Sequence, residues 1–165
     1  MNEETLVLGE QHFQEPENLK VGLPIGGWLI LLGIGTTLNP FTLGFIIYTN
    51  HIKLFMSGYL SSADSYIRNL VYFEFGMNVL IFILSLVVLI GYYGKKTWFK
   101  KAWFAFVSLM LVTHCIDYVA LKQSLIGDPS MFGMIRTEII KSIGLLVVWG
   151  TYLIKSERVK NTFVR

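Results

Sequence analysis

One cysteine, four prolines and a 15% share of charged residues leave this chain of 165 residues short of what a soluble domain is built from. Cys115 on its own excludes an internal disulfide and any thiolate metal cluster. Soluble domains carry about 25% charged residues, and a small one needs a wide solvated surface that so few charges cannot supply. A strong charge of one sign is missing as well. The formal net charge is +3, with Lys and Arg set between long apolar runs, which excludes a nucleic-acid-binding module. There is no internal repeat, no Walker loop, no dinucleotide fingerprint, no H-E-x-x-H and no G-x-S-x-G. A basic leader is lacking too: the opening MNEETLVLGEQHFQEPENLK holds five Glu and one Lys, so it reads as neither signal nor transit peptide. Targeting is expected to fall to the first membrane helix.

What is present is apolar. Hydrophobic residues make up 53% and aromatics 15% of the chain, and mean hydropathy is +0.56. Crossing a hydrocarbon core takes about 20 mostly apolar residues as a helix. Four stretches qualify: about Pro24 to Tyr48, Leu70 to Tyr93, Ala102 to Leu121 and Ile135 to Ile154. None alternates as a barrel strand would. The expected fold is therefore all-α, a single four-helix membrane domain over residues 1–165 with tails at 1–23 and 155–165. Asn39-Pro40 inside the first span predicts a kink or a break there. The loop from about Thr49 to Asn69 has room for a short interfacial helix.

Orientation follows from Lys and Arg. With four crossings, the N-terminal tail, the KKTWFKK loop and the C-terminal tail share one side and hold nine Lys and Arg. The other side holds four, namely Lys53, Arg68, Lys122 and Arg136. Both termini are thus expected in the cytoplasm. Trp28, Trp98, Trp103 and Trp149 fall near that same face, as an aromatic belt would.

Three passages carry a family resemblance: PIGGWLIL at 24–31, FEF at 73–75 and VVWGTYLIKSERVKNTFV at 147–164. Together they resemble domain of unknown function 2569, a group of small bacterial four-helix membrane proteins. The resemblance spans essentially the whole chain and is most specific in S-x-RVKNTF. It implies a bacterial cytoplasmic (inner) membrane and four helices, and it brings no activity.

Ionisable residues at membrane depth are the informative ones, because a charge there costs about 2.5–3.5 kcal/mol even on insertion scales. Glu74 and Asn78 are spaced i,i+4 and share a face of the second span; His114 and Asp117, at i,i+3, share a face of the third. The fourth span carries Arg136, Glu138 and Lys141. At about 1.5 Å per residue, these groups and Asn39 fall in one layer, the outer third. Two readings follow. Glu74 and Asp117 pair with Lys141 and Arg136 in a network that fixes helix register, or the faces converge on an outward-open polar pocket for a small molecule, an ion or a proton. His114 and Asp117 are two ligands of metal-binding type, with His12 and His51 too remote in sequence to complete a set. No metal or cofactor is expected. Cys115 lies about 100° around the helix from His114, so the two cannot act as nucleophile and base; it reads as a small buried thiol.

The KKTWFKK loop reads as a topology determinant that also suits anionic lipid. In the tail, Arg158 and Lys160 suit lipid phosphates and Phe163 the membrane interface, or all three suit a docked protein. The expected function is a non-enzymatic accessory or regulatory membrane protein acting through helix and tail contacts. Its partners would be membrane lipids and a protein or a second copy of itself, with no nucleic acid. The alternative is a channel or transporter that uses the polar pocket.

Overall fold

Every long described stretch is helical, and no strand occurs among the described residues, which in this computed structural model are 23–124 and 129–164. The acidic N-terminal stretch with His12 and Lys20, and Arg165 at the other end, lie outside them. The order is α1 (Trp28–Ile46), a π-helical segment (Ile47–Ile52), α2 (Lys53–Met56), α3 (Tyr59–Ser62), α4 (Ser65–Tyr93), α5 (Phe99–Ser124), α6 (Pro129–Lys155) and α7 (Glu157–Thr162). The first three run on as one helix. Among the described residues, three helices are long and apolar enough to cross a membrane: Trp28–Met56, Ser65–Tyr93 and Phe99–Gln123. The fourth long helix, α6, has 27 residues and carries Arg136, Glu138 and Lys141 in its first half.

Each long helix packs on the next in sequence, α1 on α4, α4 on α5 and α5 on α6. α1 and α6 meet where the Trp28 and Trp149 rings stand edge to face at 6.5 Å. Only a thin seam is buried between them, including Leu29, Leu32, Ile81, Val88, Val107 and Leu153. The outward faces are apolar as well, with Ile34, Leu38, Phe41 and Phe45 on α1 and Val147, Val148 and Ile154 on α6 all exposed. Apolar packing inside and apolar surface outside is what a bundle solvated by lipid requires.

The helix does not break at Pro40. α1 passes through that residue, and the turn before it is reinforced by Thr36 Oγ1 donating to Leu32 O at 2.8 Å and Thr37 Oγ1 to Gly33 O at 2.7 Å. The carbonyl that Pro40 leaves without an N–H partner is that of Thr36, so these two bonds do not replace the lost one. The irregularity sits later, in the π segment, whose wider turn shifts the phase of the residues that follow. The expected loop from Thr49 is accordingly shorter: helix continues to Met56, and α3 is its one further turn of helix before α4.

Local chemistry sets the other helix ends. Asp64 caps α4 by accepting from Tyr66 N at 2.8 Å. At the far end, Lys95 takes the left-handed conformation (φ 50°); Lys95 N donates to Tyr92 O and Lys96 N to Gly91 O, a Schellman stop made without glycine. The turn brings Trp98 back onto Gly91, where a Cβ would lie 2.6 Å from the ring. Beneath it Tyr92, Phe99 and Phe163 form an aromatic plug, with Phe99 and Phe163 stacked at 4.4 Å. Tyr92 donates its hydroxyl to Leu29 O. Trp103 departs from the expected interfacial belt. It is 4% exposed, because its position on α5 faces the bundle rather than its rim.

Candidate functional site

The opposite half of the bundle, towards α3, is not filled. A cavity of about 530 Å³ opens between α1, the π segment, α4, α5 and α6. Of the residues expected at a polar site, Glu74, Asn78, His114, Asp117 and Lys141 line it, together with Asn39 and Glu138. Arg136 does not. Its guanidinium turns outward to Tyr118, donating to the hydroxyl at 3.3 Å and lying 5.8 Å from the ring centre. Position 136 lies about 160° around α6 from Glu138, so the helix itself turns Arg136 away from the cavity.

The charges do not pair as the network reading expects. Lys141 Nζ donates to Glu138 Oε1 at 2.7 Å, on its own helix. Among the described residues, Glu74 makes no hydrogen bond and no ion pair. Asp117 Oδ2 is 4.0 Å from His114 Nδ1, too far for a hydrogen bond. Asp117 Oδ1 and His114 Nε2 are buried without a protein partner.

His51 is the residue that spacing alone could not place. It comes from the π segment, is 4% exposed and lines the cavity. Its Nε2 accepts from Asn78 Nδ2 at 3.1 Å, which leaves the proton on Nδ1, and Nδ1 has no protein partner. In a regular helix the phase at position 51 would differ, so the only sequence signal was a histidine at the end of an apolar run. Thr113 and Ser142, both buried on the lining, were also missed. Buried polar groups are nearly always satisfied. Three orphan atoms around one cavity are therefore a concentration of unused hydrogen-bonding capacity. Among the described residues, no group of three His, Cys, Asp or Glu could hold a metal ion.

Phe163, expected at a lipid or partner surface, is instead buried (4% exposed) in the aromatic plug. The cause is local. Ser156 ends α6 and caps α7, accepting from Val159 N at 3.4 Å, and the turned helix then buries Val159, Thr162 and Phe163. Leu23 N donates to Asn161 O at 2.9 Å, and Lys95 Nζ to Leu23 O at 3.0 Å, which clasps this end of the bundle. Lys160 is exposed and pairs with Glu157 at 2.6 Å. The Arg158 guanidinium lies over Gly26, in the space a Cβ there would need. S-x-RVKNTF is thus largely a packing motif. Cys115, read as a buried thiol, is exposed on the outer face of α5.

A family model described as "Protein of unknown function (DUF2569)" matches residues 23–164. No curated protein and no solved structure matches the chain.

Proposed function

The chain belongs to the DUF2569 family, and from that premise we propose that it is a non-enzymatic membrane protein that binds a small polar molecule in its cavity. α6 is read as a fourth crossing, its charged first half turned to the cavity rather than to lipid. The membrane is read as the bacterial cytoplasmic one because the family resemblance implies it, and both termini are read as inside, with the cavity opening outward, from the Lys and Arg asymmetry. The observation that carries the binding reading is the set of unused acceptors and donors on one cavity: Glu74, Asp117 Oδ1, His114 Nε2 and His51 Nδ1. A structural network would have consumed them. Contact with a partner through the tail has less support, because Phe163 is spent inside the bundle and Lys160 on Glu157.

Extraction in native lipid particles followed by mass spectrometry tests this. The wild-type protein is expected to carry a small molecule at near-equal stoichiometry, lost in Ser142→Phe, where a ring grows into the cavity from a residue that is 2% exposed. A protein partner with no small molecule, or a molecule retained equally by Ser142→Phe, overturns the reading.

A further inference from the structure

We propose that the molecule held in this cavity is a small organic cation, an ammonium group carried on a compact apolar body. This rests on the cavity being a binding site, and it names the chemistry the site takes. Charge is the first ground. Of the three carboxylates on the lining, Glu138 is matched by Lys141, while Glu74 from α4 and Asp117 from α5 have no cation among the described residues. An anion entering here would meet two unmatched carboxylates and a lysine already engaged.

Hydrogen-bonding direction is the second ground. A carboxylate only accepts, and an ammonium has three donors and no acceptor. Thr113 already donates to Leu109 O at 2.9 Å. The carboxylates of Glu74 and Asp117 thus present acceptors that lack protein donors, and an ammonium supplies donors alone. A metal ion lacks the ligand trio among the described residues.

Burial is the independent ground. His51 is more than nine-tenths buried on the same lining with Nδ1 unpartnered, so the site presents a built polar wall and not an acidic patch alone. The remaining wall, with Ile81, Phe106, Met110 and Leu145, is apolar and suits a hydrocarbon or aromatic body. At about 530 Å³ the cavity lies within the usual range for small-molecule sites, about 300–1,000 Å³.

The test uses three probes of one shape: benzylammonium, benzyl alcohol and benzoate. Each is titrated calorimetrically into the wild-type protein and into Glu74→Gln and Asp117→Asn in the same lipid particles, so that partition into lipid cancels. Circular dichroism confirms that each variant is folded, and the two variants report independently. Benzylammonium is expected to bind the wild type at least tenfold tighter than either variant, and at least tenfold tighter than the other probes. Equal binding of benzylammonium to wild type and both variants overturns the proposal, as does benzyl alcohol or benzoate binding as well as the ammonium. If one of those binds and Ser142→Phe abolishes it, the cation falls while the cavity remains a binding site. If no probe binds, the cation falls, and the retained-molecule experiment alone decides the binding reading.

Discussion

Lys141 reaches Glu138 at 2.7 Å on its own helix, and so leaves Glu74 on α4 without a cation. A network that tied helices together would couple α4 to α6 through these charges. The arrangement instead keeps the lysine local and the carboxylate open to the cavity.

A double-mutant cycle on Glu74→Gln and Lys141→Met measures that separation. The coupling energy is expected below about 0.5 kcal/mol, as for residues that share no contact, and Glu74→Gln alone should not lower the thermal midpoint. The Glu138–Lys141 pair is half exposed and should yield only about 0.2–0.5 kcal/mol, as helix-surface pairs do. A Glu74–Lys141 coupling above about 1 kcal/mol would restore the network reading.

The aromatic plug makes a steeper prediction. Phe163→Ala removes a buried ring stacked on Phe99 and is expected to cost about 3–5 kcal/mol, read as a lower melting temperature and poorer accumulation in the membrane. Lys160→Ala breaks only an exposed pair and should cost about 0–1 kcal/mol. Equal, small effects from both would return Phe163 to the surface.

Two glycines on α1 separate packing from propensity. At Gly33 a Cβ would lie 2.5 Å from the Tyr92 hydroxyl, whereas at Gly35 nothing lies within 4 Å. Gly33→Ala should displace Tyr92, lose its bond to Leu29 O and destabilise by about 1–3 kcal/mol. Gly35→Ala should be neutral or stabilising by up to about 1 kcal/mol, since alanine is the better helix former. Thermal melts in one detergent decide it; a reversed order would refute the Tyr92 placement.

Topology is tested by reporters. Fusions within KKTWFKK and after Arg165 should report cytoplasm, and one in the 57–65 region the outside. A C-terminal fusion reporting the outside would invert the orientation and make the cavity open inward.

The polar layer was legible because helix geometry is rigid: Glu74 with Asn78, and His114 with Asp117, could each be assigned one face, and charge at membrane depth stands out against an apolar background. Three helices of spanning length were legible for the same reason. What escaped was whatever depends on departures from regular helix or on the face rather than the depth of a residue. His51 enters through a change of phase that no periodicity announces. Arg136 was grouped with the carboxylates by depth, yet two residues before Glu138 it stands on another face of α6, beside Tyr118. Phe163 looked interfacial beside the basic Arg158 and Lys160, whereas the Ser156 cap turns the chain back onto the bundle. Pro40 signalled a kink or a break, and α1 runs through it unbroken.

The clasp at that end also sets an order of events. Leu23, Lys95 and Asn161 are joined by two hydrogen bonds, yet α7 follows all four long helices in the chain. Its contacts close the longest loop among the described residues, and contacts so distant in sequence are slow to form. Until α7 has been synthesised, Tyr92 and Phe99 lack the ring that covers them. A chain halted before Val159 would carry its long helices and still expose the plug.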